Sequence, residues 1–373
     1  MKLLIVSHTA HHIDVNGQIV GWGSTVSEIN HLSKIFTEIY HIAPLHKTIA
    51  PKSAIKYASN NIHFVAIKPT GGKTLLQKLE VLYNAPSTIA LVFKLLKKVT
   101  IFQFRAPTGI GVYLIPILTL FVKKKGWFKY AGNWKQENIP LGNAIQRWFL
   151  MHQKRKVTIN GLWKHEGNNM LAFENPCLNE QDRILGSLVV KDKQLPTKKS
   201  YCFVGGLNKN KGVDKIMEAF KRLNHESVDS LHVVGDGILK EQLEKVASQI
   251  KIPIHFYGFL SKDKIQEIYK KCHFILLPSK SEGFPKVIGE AMNFGCIPIV
   301  SEVSCINQYI KHNFNGFLIN PITIDTIKQM IEASLSMSNK DFTIQIAINY
   351  KITEKFTYNY YLARIKKEIV DIV

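Results

Sequence analysis

Between residues 200 and 301, five short apolar runs alternate with four amphipathic stretches of helical period. The runs are SYCFVG, SLHVVGDG, IHFYG, HFILLPS and CIPIVS, and most stop on glycine, proline or serine. The stretches between them are Val213 to Leu223, Ile238 to Gln249, Ser261 to Cys272 and Pro285 to Phe294. Strands without polar alternation, separated by helices, imply a parallel sheet covered on both faces. GFLI, near residue 317, is a last strand candidate, so this half alone reads as a doubly wound α/β domain.

The first half carries the same rhythm. KLLIVS opens it, a glycine-rich loop around Gly21 and Gly23 follows, and a helix is expected from Ser24 to Phe36. Further strands are predicted at Glu38 to Ile42, Ile62 to Ile67, Thr100 to Phe104, Trp127 to Tyr130 and Lys156 to Ile159. Helices are predicted at Leu75 to Tyr83, Ser87 to Leu96 and Ile110 to Val122. A chain of 373 residues exceeds what one hydrophobic core usually serves. The expected fold is therefore α/β, with two doubly wound, Rossmann-like parallel-sheet domains facing across a cleft. The polar, proline-interrupted LVVKDKQLPTKKS places a linker near residues 180 to 199. The first domain would span 1–185 and the second 195–349. A helix over 350–373, rich in aromatics that need a packing partner, would return to complete the first domain.

Charge narrows the partners. Residues 1–180 carry 22 Lys and Arg against 8 Asp and Glu, and the rest of the chain 27 against 20. A basic surface of this kind attracts phosphate-rich partners: nucleic acid, anionic lipid or phosphorylated substrates. No zinc-finger, RNP-like or helix-turn-helix pattern supports nucleic acid. The apolar run Val112 to Val122 contains Pro116 and is too short to span a bilayer. MKLLIVSHTAHH has too short an apolar run for a signal peptide and reads as a first buried strand. A cytoplasmic location is expected. The Lys123–Lys125 run beside Val112 to Val122 leaves open peripheral docking on the inner face of the cytoplasmic membrane, against a core helix with a solvated lysine cluster. The five cysteines are odd in number, widely spaced and set mostly in apolar segments, so buried thiols are expected. His8, His11 and His12 lack a carboxylate or cysteine partner at ligand spacing, and no metal site is expected.

Open α/β sheets bind ligands beyond the carboxyl ends of their strands, and the candidate motifs fall there. In FVGGLNKNKG, Gly205 and Gly206 end a strand, and Lys211-Gly212 precedes a helix whose N-terminal N–H groups favour an anion. That describes a phosphate site; taken alone it is equally a tight turn with a solvated lysine. In SEGFPKVIGEAMNFG, Glu282 lies in a loop given freedom by Gly283, Pro285 suits a first helical turn, and Glu290 falls on the helix body. The N–H groups of Gly283, Phe284, Lys286 and Val287 are expected to point into the same cleft, and carboxylates accept forked hydrogen bonds from sugar hydroxyls. An acidic helix cap with a solvated glutamate is the plainer alternative. Gly21 and Gly23 precede a helix and suit a phosphate approach or an ordinary turn. Arg105, at a strand end before Pro107, suits a phosphate, an acidic acceptor group or solvent. In YGFL, Gly258 admits a flat ring that Phe259 covers.

Together these motifs resemble the retaining glycosyltransferases of family 4, which have the GT-B architecture. The resemblance covers most of the chain and is specific in the second half. The E-x7-E signature runs from Glu282 to Glu290, and G-R-L-x-x-x-K-G appears as Gly205-Gly206-Leu207 through Lys211-Gly212. GDG at 235–237, YGFL at 257–260 and NGFL at 315–318 follow in family order. The resemblance implies a UDP- or GDP-linked sugar as donor substrate, no cofactor and no metal. A glycan or lipid-linked acceptor of cell-surface polysaccharide biosynthesis is the implied partner. Lys211 would hold the diphosphate, Glu290 the ribose, Glu282 the sugar hydroxyls, and the amides from Gly283 to Val287, Pro285 between them, sugar and phosphate. Gly258, Phe259 and Leu260 would hold the base, and Gly21 and Gly23 would close the site from the first domain. One departure stands out: Gly206 occupies the usual arginine position, so the phosphate site lacks one cation, which Arg105 is the candidate to replace. A nucleotide-sugar epimerase and a catalytically silent nucleotide-sugar-binding protein are the competing readings.

Overall fold

The first strand, β1 (Lys2–Val6), is buried from Leu3 onward. In the computed structural model it is an interior strand of a seven-stranded sheet. The described residues are 1–371 except 73, 137, 138 and 165. They form two units, Met1–Glu174 with the C-terminal stretch from Tyr361, and Asn175–Tyr360.

In the first unit, β2 (His11–Ile13) and β3 (Ile19–Trp22) form a hairpin that leads into α1 (Gly23–Leu32) and β4 (Glu38–Pro44). Next come β5 (Ala54–Lys56), β6 (Ile62–Ile67), α2 (Leu75–Tyr83), α3 (Ala85–Leu96) and β7 (Ile101–Ala106). α4 (Gly111–Leu120), β8 (Gly126–Tyr130), α5 (Leu141–Met151), β9 (Val157–Ile159) and β10 (Met170–Ala172) complete it. The main sheet has the order β10-β9-β8-β7-β1-β4-β6 and is parallel throughout. β2, β3 and β5 form a separate antiparallel sheet. This small sheet departs from the sequence reading: Gly21 is a strand residue, not part of a loop. An added Cβ at Gly21 would strike the His11 ring, so its glycine makes room for that imidazole.

The second unit begins with α6 (Glu180–Asp192), where the sequence reading placed a linker. Asn179 and Asp182 form a capping box at its start, and its polar composition reflects an exposed face rather than disorder. β11 (Lys199–Val204), α7 (Val213–Lys221), β12 (Val228–Val234), α8 (Lys240–Ala247), β13 (Ile254–Phe256) and α9 (Lys262–Lys271) follow. Then come β14 (Phe274–Leu277), α10 (Lys286–Asn293), β15 (Ile297–Ser301), α11 (Ile306–Tyr309), β16 (Phe317–Ile319), α12 (Ile324–Leu335) and α13 (Asn339–Ile352). The sheet order is β13-β12-β11-β14-β15-β16, all parallel. The order reverses between β11 and β14, and at such a switch point the loops leaving two neighbouring strands part to opposite faces and open a crevice.

The tail is not one helix. α13 gives way to a 3₁₀ turn (Thr353–Phe356), then α14 (Tyr358–Ile365) and a π-helical turn (Lys366–Val370). Phe356 is buried in the second unit, stacked on Phe284 at 4.6 Å. Tyr361, Leu362, Ile365 and Ile369 pack into the first unit's core with Leu3, Ile5 and Trp127. Among the described residues no helix is long and apolar enough to cross a membrane. All five cysteines are buried and free of disulfides.

Candidate functional site

The loops after β11 and β14, at the switch point, carry the two strongest motifs and are hydrogen-bonded to each other. Asn208 Oδ1 accepts from the N–H groups of Asn210 (3.0 Å) and Lys211 (3.2 Å), folding the first loop into a tight turn. The Lys280 N–H donates to the Asn210 carbonyl at 2.8 Å, and Asn210 Nδ2 to the Ser281 carbonyl at 3.3 Å. This stitching puts Lys211 Nζ in an ion pair with Glu282, both side chains being largely but not fully buried. Gly212 caps α7 with φ of +70° and lies against the Pro278 carbonyl, where a Cβ would collide. Glycine is needed there for both conformation and space.

The floor beside Gly205 is backbone packed on backbone. A Cβ at Gly235 would strike the Gly205 carbonyl, and one at Gly237 the Leu207 carbonyl. The Leu207 N–H donates to the Asp236 carbonyl at 2.9 Å, and the Gly235 N–H to the Gly258 carbonyl at 2.8 Å. The GDG segment and Gly258 are thereby set next to the Gly205 loop. Gly258 has φ of +63° and open space where a side chain would stand, Phe259 is exposed, and Leu260 packs on the unit's core. At Gly206 a Cβ would sit 3.0 Å from Asn208 Nδ2, so an arginine would press on the amide that shapes the turn.

The Glu282 loop is held from behind. Phe284 is buried between Phe356 and Tyr309, Asn175 Nδ2 donates to the Phe284 carbonyl at 3.2 Å, and Cys305 Sγ lies 3.6 Å from the Gly283 carbonyl. Pro285 is the N-cap of α10, so Lys286 and Val287 form its first turn, at the positive end of the helix dipole. Glu290 lies half-buried farther along the helix. Burial pushes its carboxyl above the usual range, Lys262 and Lys286 pull it back, and Asp182 adds to the rise. Lys262 is itself paired with Asp182, which also accepts from Gln266 at 2.7 Å. Sequence reasoning missed Asn175, Asp182, Asn208, Asn210, Lys262 and Phe356. Of these, Asn208, a turn residue two before Asn210, and Asp182, the second half of the capping box that starts α6, left local signals.

The remaining candidates belong to the first unit. Gly23 starts α1, and its N–H donates to the Ser53 carbonyl at 3.1 Å. Arg105 is neither solvated nor presented to a ligand: it is 8% exposed, with Nη2 2.7 Å from Glu28 Oε1 and Nε 2.9 Å from Gln103 Oε1. Glu28 also accepts from Lys129 (2.6 Å) and from the Tyr361 hydroxyl (2.8 Å). The guanidinium is committed to a buried network, because an arginine in a parallel sheet needs a carboxylate. The histidines resolve similarly. His11 Nδ1 donates to the Thr9 carbonyl (2.8 Å), which leaves Nε2 to accept from the Tyr57 hydroxyl (2.8 Å). Tyr57 then accepts from His41 Nδ1 (2.6 Å), and His41 Nε2 accepts from Ser7 (2.7 Å). Burial holds His11 down to about 4 and His41 well below its ordinary value, keeping both rings neutral as this direction of donors requires.

Residues 190–346 match the family described as glycosyl transferases group 1. An uncharacterized glycosyltransferase of Methanocaldococcus jannaschii is 29% identical over 223 residues, covering 59% of this chain and 53% of that protein. The lipopolysaccharide 1,6-galactosyltransferase of Salmonella typhimurium is 32% identical over 132 residues, 34% of this chain and 36% of its own length. The chain spans about half, or less, of the length of these curated relatives. Among solved structures, Anabaena Alr3699/HepE in complex with UDP and glucose aligns over 100% of both chains, with a TM-score of 0.67 and 14% identity. Sucrose-phosphate synthase from Thermosynechococcus elongatus aligns over 100% of this chain and 99% of its own, with a TM-score of 0.74 and 11% identity. The fold is thus GT-B, two Rossmann-like α/β units with parallel sheets, and the second unit carries the glycosyltransferase group 1 match.

Proposed function

We propose that this chain is a retaining glycosyltransferase that moves a sugar from a UDP- or GDP-linked donor to a hydroxyl of a glycan or lipid-linked acceptor. The observation that carries the proposal is the meeting of Lys211 and Glu282 at the switch point, beside the first turn of α10, inside the segment that matches glycosyl transferases group 1. Lys211 and the α10 amides would take the diphosphate, supplying positive charge where negative charge grows as the sugar leaves. Glu290 would accept from the ribose hydroxyls and Glu282 from the sugar hydroxyls. The anomeric C–O bond to phosphate breaks while the acceptor oxygen bonds on the same face. The acceptor proton passes to a phosphate oxygen of the departing nucleoside diphosphate. No divalent cation enters this scheme, since the lysine supplies the charge.

The test is release of nucleoside diphosphate from a panel of UDP- and GDP-sugars, with and without a glycan acceptor mixture. One donor should turn over, and Lys211→Ala and Glu282→Ala should each lower the rate by roughly a hundredfold or more. Interconversion of the donor sugar without release would point instead to an epimerase. Binding without turnover in any mixture would point to a silent binding protein. Retention is read from the anomeric configuration of the product.

A further inference from the structure

One buried hydroxyl of the second unit is left unpaired. Tyr269, near the end of α9, is 1% exposed, and its hydroxyl finds no hydrogen-bond partner among the described residues. An unpaired hydroxyl out of water is costly, and phenylalanine would fill nearly the same space without that cost. Two contacts hold the residue in place. Its ring stacks on Phe294, with centroids 6.4 Å apart. Lys193, itself buried, donates from Nζ to the Tyr269 carbonyl at 2.8 Å and to the Phe294 carbonyl at 2.9 Å, tying the end of α9 to the end of α10.

Helical spacing says what the hydroxyl faces. Val287, Ala291 and Phe294, on and just after α10, pack in one apolar cluster with Tyr269. At 3.6 residues per turn, Glu290 falls on the same side of that helix. Burial, and after it the Glu290 charge, keep the Tyr269 hydroxyl protonated, well above its ordinary value. The other groups that act on it are the thiols of Cys202, Cys296 and Cys177, which are weak acceptors. Burial in turn works against the charge on Glu290; Lys262 and Lys286 favour it, Asp182 opposes it, and the Tyr269 hydroxyl favours it. A donor with nothing to donate to thus faces a carboxylate to which it is not bonded. We propose that Tyr269 is a positioning residue for Glu290: its hydroxyl donates to one carboxylate oxygen as a bound nucleotide engages the other, fixing the carboxylate for the ribose hydroxyls. A donor already locked by packing orients the carboxylate without rearranging itself. The proposal rests on the reading of Glu290 as the ribose acceptor.

The test is calorimetric titration of UDP and GDP, and of the 2′,3′-dideoxy form of whichever binds, into the full chain, Tyr269→Phe and Glu290→Ala. Tyr269→Phe should weaken binding of the ribonucleotide by roughly fivefold and leave binding of the dideoxy form nearly unchanged. As pH falls, the variant should lose the nucleotide at a higher pH than the unaltered chain, because a carboxylate without its donor takes up a proton more readily. The same variant should melt at the same or a higher temperature, since an unpaired buried hydroxyl is gone. Equal affinity of Tyr269→Phe and the unaltered chain for the ribonucleotide, with Glu290→Ala weakened, would overturn the proposal alone. So would an equal loss for the ribonucleotide and its dideoxy form, which would mark a structural role. Absence of nucleotide binding, or unchanged binding by Glu290→Ala, would overturn the ribose assignment and the proposal with it.

Discussion

Lys211 and Glu282 neutralise each other across two loops, and this pairing shapes what a donor must do. A diphosphate that takes Lys211 must draw it from the carboxylate, and a sugar that takes Glu282 releases the lysine. With the proposed assignment, the pair would favour an intact nucleotide-sugar, which replaces both halves of the contact, over a bare nucleoside diphosphate, which replaces one. Glu282→Gln is expected to bind the nucleoside diphosphate a few-fold more tightly while transferring sugar at a rate lower by about two orders of magnitude. Calorimetry and turnover check the two arms, and a parallel loss of nucleotide affinity would refute the competition. At this scale the sequence was readable where placement is local: Gly205, Gly206, Lys211 and Glu282 lie in loops that follow strands, and Glu290 on the helix after them. It was opaque where a contact joins distant segments. Nothing beside Arg105 announced that Glu28 and Tyr361 would claim it, and nothing beside Glu282 announced Asn210 or Phe356.

At the level of elements, most parallel strands were legible because they are largely apolar and stop near a turn residue; β10, three residues long, was not. β2, β3 and β5 were not, since each is at most four residues long and mixes histidine, glycine and lysine with apolar groups. α6 was hidden because two-sided polarity looks like a linker until its capping box is noticed. α12 and α13 left no strong reading either, and the broken tail shows that aromatic spacing does not by itself sustain one helix. The turn from β11 into α7 depends on Gly212, which is both left-handed and pressed against Pro278. Gly212→Ala should destabilise the chain by about 2 kcal/mol or more in urea unfolding and raise the donor KM, because Lys211 is the adjacent residue. An unchanged midpoint would mean that the turn relaxes without cost.

For the whole molecule, neutral buried histidines tie folding to pH. Burial lowers His11, His232 and His273 to about 4 from an ordinary value near 6.5, and holds His41 well below that value as well. In that interval the unfolded chain binds more protons than the folded one. Their contribution to stability is thus complete above about pH 6.5 and is lost as pH falls toward about 4, at roughly 1.4 kcal/mol per histidine for each pH unit. The melting temperature should fall steadily between about pH 7 and about pH 5, and His273→Gln should flatten part of that slope; a flat profile would contradict the burial. The central claim, that the second unit holds a nucleotide-sugar through Lys211, is tested most directly by calorimetric titration of UDP and GDP into the full chain and into Lys211→Ala. One nucleotide is predicted to bind at one site, with affinity reduced tenfold or more by the substitution, on the order of 1.4 kcal/mol. Absence of binding by both nucleotides, or equal binding by the variant, would contradict it.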